Sequence, residues 1–114
     1  MIKKISLENK TYTEQVIYEL DCSTIEPIGD DSTTISNSSF NVYDKDTLTS
    51  QTVAMLGTAS YSAANKVISI VVKKSTGTRG KWYWLVGKAI CADTQEFVLI
   101  GEFKIEDNVG PTNL

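Results

Sequence analysis

Residues Trp82 to Ala92 constrain the fold more than any other stretch of the chain. Apolar side chains fill both phases of an extended backbone here: Trp82, Trp84, Val86 and Ile90 alternate with Tyr83, Leu85, Gly87, Ala89 and Cys91. A strand with two apolar faces must run through the middle of a sheet or have its outer face covered by a partner. The phase that holds Trp84 is expected to face the core. Asp93-Thr94-Gln95 then turns the chain, and Glu96 to Ile105 returns as a closing strand, with Phe97, Leu99 and Phe103 set against Val98, Ile100 and Ile105. Gly101 interrupts it and predicts a bulge.

The rest of the chain repeats this extended pattern in shorter pieces. Tyr12, Glu14, Val16, Tyr18, Leu20 and Cys22 alternate with Thr13, Gln15, Ile17, Glu19 and Asp21, as on a half-buried strand. A long connection from Thr24 to Ser39, rich in Ser, Thr and Asp with Pro27 and Gly29, is expected to be pinned to the core by Ile25, Ile28 and Ile35. Short strands are predicted at Ser39 to Tyr43, with Phe40 and Val42 inward, and at Thr52 to Leu56, with the polar turn Asp44 to Ser50 between them. Gly57 to Asn65 reads as a loose segment, Lys66 to Lys73 as a strand apolar on both faces, and Lys74 to Gly80 as a turn.

No stretch has helical period, and Ile and Val together number 20 against 7 Leu and 6 Ala, with 24 Ser and Thr. β-branched side chains crowd a helix and fit a pleated surface. The expected fold is therefore an all-β, immunoglobulin-like β-sandwich of about seven antiparallel strands, one domain over residues 1–106 followed by a polar C-terminal tail at 107–114. At 114 residues the chain holds one ordinary domain.

Composition also removes function classes. The sequence has no histidine, which excludes Ser/His/Asp and Cys/His catalysis and His-based zinc sites. Ser and Thr are plentiful, yet general-base help would have to come from a carboxylate or lysine alone, so no enzyme is expected. Eleven Lys and Arg against 14 Asp and Glu give a net charge of -3, without the basic excess of a nucleic-acid coat. The longest apolar run, Trp82 to Gly87, is far short of a membrane span, and Glu8, Asn9 and Lys10 interrupt the place an export signal would need.

Several local constellations resolve into bland readings. Gly77-Thr78-Arg79-Gly80-Lys81 lacks the spacing of a phosphate loop and reads as a hairpin turn. Its neighbourhood collects Lys73, Lys74, Arg79 and Lys81, either a basic docking tip or a solvated turn. Asp30-Asp31 and Asp44-Lys45-Asp46 lack calcium-loop spacing and read as turn carboxylates. Asn37-Ser38-Ser39 fits a glycosylation sequon that has no export route. Cys22 and Cys91, 69 residues apart, are expected to be separate buried thiols, with an inter-sheet disulfide as the lesser alternative. Trp82, Tyr83 and Trp84 are either core and interface area or a stacking surface for sugars or bases. No catalytic, cofactor-binding or metal-binding residue is assigned.

The order of these features resembles a family of small immunoglobulin-like virion proteins of tailed bacteriophages, encoded among head and tail genes and sometimes described as fibre-tail adaptors. The resemblance is carried by Tyr18-Glu19-Leu20-Asp21, the connection Gly29 to Ile35, Phe40-Asn41-Val42, Gly80, Trp84 to Ile90, and Phe103-Lys104-Ile105-Glu106. It implies a non-enzymatic structural or adaptor protein that works in the virion through contacts with tail, fibre, head or connector proteins and with copies of itself. The particle would be assembled in the bacterial host cytoplasm, with no membrane and no nucleic acid as partner. The alternative is an immunoglobulin-like carbohydrate- or surface-binding module using the Trp82 to Trp84 cluster.

Overall fold

The computed structural model describes the backbone of residues 2–107 and the side chains from Ile5 to Asp107. Of the expected polar tail, residues 108–114 lie outside this range. Ten elements follow one another: β1 (Ile2–Ser6), β2 (Lys10–Thr11), β3 (Val16–Asp21), α1 (Glu26–Gly29), β4 (Ile35–Asp44), α2 (Thr52–Met55), β5 (Leu56–Ser62), β6 (Val67–Val72), β7 (Trp82–Cys91) and β8 (Glu96–Glu106). The protein is mostly β and has two sheets. The larger has the order β1-β8-β7-β4, with β2 also on β8, and the smaller has the order β3-β6-β5.

The sheets face each other across one core. Tyr18, Leu20, Ile68, Ile70 and Val72 come from the smaller sheet, and Val42, Tyr83, Leu85, Leu99, Phe103 and Ile105 from the larger. Phe103 is the central aromatic, 5.2 Å from the Tyr18 ring and stacked at 5.9 Å on Tyr83. Both buried phenols have partners: Tyr18 donates to the Glu8 carbonyl, and the Thr78 amide donates to the Tyr83 oxygen. Packing is tight at Gly87, because a Cβ there would lie 2.8 Å from Leu20 Cδ2 of the facing sheet and from Phe40 Cε2 of its own.

The anchoring role expected of Ile25, Ile28 and Ile35 holds, since all three are buried. Between them, Pro27 enters the single turn of α1, where its missing N–H is no loss. β4 is longer than expected and contains an irregularity between Ile35 and Asn37. That extra residue matters: Ile35 and Phe40 differ by an odd number of positions and would otherwise face opposite sides of the sheet.

Five expectations are corrected. Tyr83, not Trp84, faces the core from β7: Tyr83 is 2% exposed and its phase is buried throughout, whereas Trp84 is half-buried on the outside. Tyr83 wins the inner position because its ring reaches Phe103 and its hydroxyl accepts a backbone bond. Gly101 makes no bulge, since Leu85 and Gly101 pair within an unbroken register. Its missing side chain leaves room for Leu7, whose Cγ would be 2.7 Å from a Cβ there.

Thr52 to Met55 is a helical turn instead of a strand, and Val53 is 92% exposed. The Thr52 hydroxyl accepts from the Val42 amide and donates to Asn41, which holds the turn against β4, and only Met55 drops into the core. Of the segment Gly57 to Asn65, read as loose, the part up to Ser62 instead forms with Leu56 an edge strand on β6. Finally, the strands are not all antiparallel. β1 and β2 lie parallel to β8, with Ile2 beside Val98, Ser6 beside Glu102 and Lys10 beside Ile105.

Candidate functional site

Because Tyr83 and Leu85 take the inner phase of β7, Trp82, Trp84, Val86, Lys88 and Ile90 are left on its outer face. Register then fixes their neighbours. Trp84 lies between Tyr43 of β4 and Glu102 of β8, Val86 between Asn41 and Ile100, and Lys88 between Ser39 and Val98. The result is a contiguous apolar stripe of Tyr43, Trp84, Val86, Val98 and Ile100 across three strands, all of them half-buried. Over it runs an open groove of about 370 Å³, lined by Tyr43, Leu48, Trp84, Val86 and Ile100.

Ion pairs border the stripe. At one end Lys45 Nζ bonds Glu102 Oε2 at 2.6 Å and stands 5.7 and 5.4 Å from the ring centroids of Trp82 and Trp84. At the other end Lys88 bonds Glu96 at 3.2 Å. Leu48 rises beside the groove, 68% exposed and held at φ 59, a left-handed conformation that a leucine rarely adopts. Other exposed apolar residues, Ile17, Val53 and Tyr61, come from β3, α2 and β5 and are not part of this stripe. A large apolar face bordered by charge is what proteins use to bind other proteins.

A second, more polar groove of about 530 Å³ adjoins it, lined by Ile5, Ser6, Leu7, Asn9, Trp82 and Glu102. Trp82, 38% exposed, forms its aromatic wall.

The remaining constellations serve the fold. Asp44 is not a solvated turn carboxylate: Oδ1 accepts from the Asp46 and Thr47 amides and Oδ2 from Lys81 at 3.1 Å. The Lys81 ammonium holds the Asp44 carboxyl below its ordinary range, and Asp44 in turn raises Lys81. Asp30 likewise accepts from Ser32, which lowers its pKa. Among the described residues, no group of three or more His, Cys, Asp or Glu could hold a metal ion. Gly77 and Gly80 adopt positive φ in the turn before β7, and Arg79 lies 4.1 Å from the Tyr12 ring and pairs with Asp107. With Lys81 on Asp44, two of the four cations of the basic cluster are thus engaged within the chain.

Cys22 and Cys91 are free and buried. Burial, reinforced by Asp21, pushes the Cys22 thiol up to about 11, and burial also raises Cys91. Thiols held protonated in this way are poor nucleophiles. Lys10 is buried as well, donating to the Thr11 and Tyr12 carbonyls, and desolvation lowers its pKa.

Sequence reasoning found the aromatic triplet but assigned its two faces the wrong way round, and it missed Tyr43, Lys45 and Leu48 as members of one surface. The available signal was the second apolar phase of β7. No protein-family model matches the sequence, and no characterised protein matches it significantly.

Proposed function

We propose that the protein is a non-enzymatic structural or adaptor component of a tailed-phage or prophage virion, an immunoglobulin-like sandwich that docks through the outer face of its larger sheet. The strand orders support the finer fold assignment. β3-β6-β5 against β4-β7-β8 is the B-E-D against C-F-G order of that architecture, with β1 and β2 added alongside β8. The observation that carries the functional reading is the continuous stripe of Tyr43, Trp84, Val86 and Ile100, because a domain of this size does not keep such a face without a use for it. The resemblance of its order of sequence features to that of small virion proteins supports the particle as the setting.

The test is composition of purified particles from a producing host. The chain should be found in them by mass spectrometry, and a Val86→Asp variant, folded by circular dichroism, should be depleted at least tenfold. Absence of the wild-type chain from intact particles would overturn the virion assignment.

One observation favours a second reading, a saccharide-binding module: the polar groove beside Trp82 joins an exposed indole to Ser6, Asn9 and Glu102. Oligosaccharide binding that disappears in Trp82→Ala, by a monomeric protein absent from particles, would select it.

A further inference from the structure

We propose that the open edge of β3 accepts an added strand from another protein, an extended segment that alternates basic and apolar side chains. The site is separate from the outer face of the larger sheet and does not depend on the virion reading. In an antiparallel pair each residue turns its N–H and its C=O to the same side, and successive residues turn to opposite sides. The Cys22 amide donates to the Lys66 carbonyl at 2.8 Å, which fixes the phase of β3 against β6. With Val16 beside Val72, Tyr18 beside Ile70 and Leu20 beside Ile68 in one unbroken register, these three residues direct their backbone groups to β6. Ile17 and Glu19 turn theirs to the open side of the sheet, where they meet no partner among the described residues.

The other sheet edges are blunted. Along β4 the Val42 amide donates to the Thr52 hydroxyl, the Val42 carbonyl accepts from the Gln51 amide, and the Asp44 amide donates to the Thr49 carbonyl. β5 is broken by a register shift between Leu56 and Ala59. β1 carries two lysines in its five residues, and β2 is two residues long. Covering segments, bulges, lysines and very short strands are the usual means of preventing strand addition. β3 carries none of these: its register with β6 is regular, and it contains no proline, glycine or lysine.

This edge opens on a groove of about 460 Å³, bounded by Ser6 to Asn9 on one side and by Glu14 and Val16 to Glu19 on the other. The unpaired groups name an extended backbone as the occupant, since a strand laid antiparallel there exchanges two bonds with Ile17 and two with Glu19. Charge names its side chains. Glu8, Glu14 and Glu19 line the groove, and none of the residues lining it is a lysine or arginine. Lys10, which feels the charge of Glu14, is buried and donates to the Thr11 and Tyr12 carbonyls. Burial, with the charges of Glu14 and Glu8, raises the pKa of the Tyr18 hydroxyl in the groove wall. The three carboxylates do not gather around one point, because no group of three acidic residues among the described residues could hold a metal ion. They therefore suit cations spaced along a chain. A lysine opposite Glu19 makes a favourable cross-strand pair, and the alternate side chains turn inward beside half-buried Leu7 and Val16, where apolar groups fit. A second β3 would instead bring its own Glu19 and Asp21 against these carboxylates, and residues 108–114 hold no lysine or arginine.

The probe is a short synthetic peptide of alternating lysine and valine, titrated into the full chain at low salt. It should bind, and a glutamate–valine peptide of the same length should bind at least tenfold more weakly. The lysines that face Ile17 and Glu19 supply the ladder donors. Methylation of the lysine backbone nitrogens should therefore weaken binding at least tenfold, whereas methylation of the valine backbone nitrogens, which turn to solvent, should leave it within about threefold. Hydrogen exchange followed by NMR should show the Ile17 and Glu19 amides open in the free chain and at least tenfold slower at peptide saturation. Glu19→Lys, an exposed substitution, should weaken the lysine–valine peptide about fivefold. Absence of binding by that peptide, equal binding of the two methylated forms, or Ile17 and Glu19 amides that stay open in the complex would overturn the proposal. So would amides already protected in the free chain, because the edge would then be filled by the chain itself or by a copy of it.

Discussion

Tyr83 and Trp84 are adjacent aromatics on one strand with opposite surroundings. The inner face of the larger sheet places Tyr83 against Phe103 with its hydroxyl bonded, among side chains that leave no room for a Cβ at Gly87 or Gly101. The outer face is also largely apolar along β7, yet it carries an open groove and Lys45 lying across both of its indoles. Apolar content therefore does not separate a core from an interface. What separates them is closure: the inner face is filled, and the outer one is open and bordered by ion pairs.

The sharpest way to break this contrast is truncation on each side. Tyr83→Ala should cost about 3–5 kcal/mol, a large part of a small domain's stability, whereas Trp84→Ala should cost about 1 kcal/mol in the monomer. Equal losses in denaturant melts would mean that the outer face is a second core.

Alkaline titration tests the inner face by another route. The folded chain keeps the Cys22 proton between pH 9 and about 11, where the unfolded chain loses it. Stability from this thiol is therefore complete below pH 9 and drains away as pH rises from 9 to about 11, by about 3 kcal/mol. Buried Lys10, whose pKa is lowered, acts in the opposite sense as pH rises toward 10.5. The difference between wild type and Cys22→Ala isolates the thiol, and parallel pH curves for the two proteins would contradict its burial.

Gly87→Ala should cost about 1–3 kcal/mol, since Leu20 and Phe40 must both give way to the new methyl. A neutral result would show that the core around Gly87 is less closely packed than the 2.8 Å approaches imply. The smallest effect is expected at low pH. Asp44 is paired with Lys81, so its contribution is present above its ordinary range near 3.8 and is lost as pH falls below it. Asp44→Asn should flatten this acid limb in thermal melts, and an unchanged limb would remove Asp44 as its cause.

How much of this was legible in the sequence depended on whether local pattern or distant pairing decided the outcome. Alternation placed β3, β6, β7 and β8 and put Tyr18, Leu20, Phe40 and Val42 inward, because period-two patterning is a property of the strand itself. It took the wrong phase of β7 as inward, since both were apolar and the choice turned on the stacking partner Phe103, twenty residues on. β1 and β2 escaped notice because their pairing is supplied by the free edge of β8, about 95 residues away. α2 escaped because one hydroxyl, Thr52, bonds to β4 and overrides a short stretch that read as extended. The outer apolar face was visible only as an excess, an apolar phase that one core could not absorb.

The parallel pairing of β1 on β8 has a mechanical consequence. Ile2 sits beside Val98 and Ser6 beside Glu102, so Ile2 and Glu106 lie toward opposite ends of the same two-strand ribbon. A pull between those two points runs along the strands and loads the ladder bonds together in shear, whereas an antiparallel first strand would be peeled away one bond at a time. Forced unfolding of such a ribbon is governed by the rate of a single cooperative rupture. A pull between these two points is therefore resisted by the five registered pairs from Ile2 to Ser6 acting as one unit.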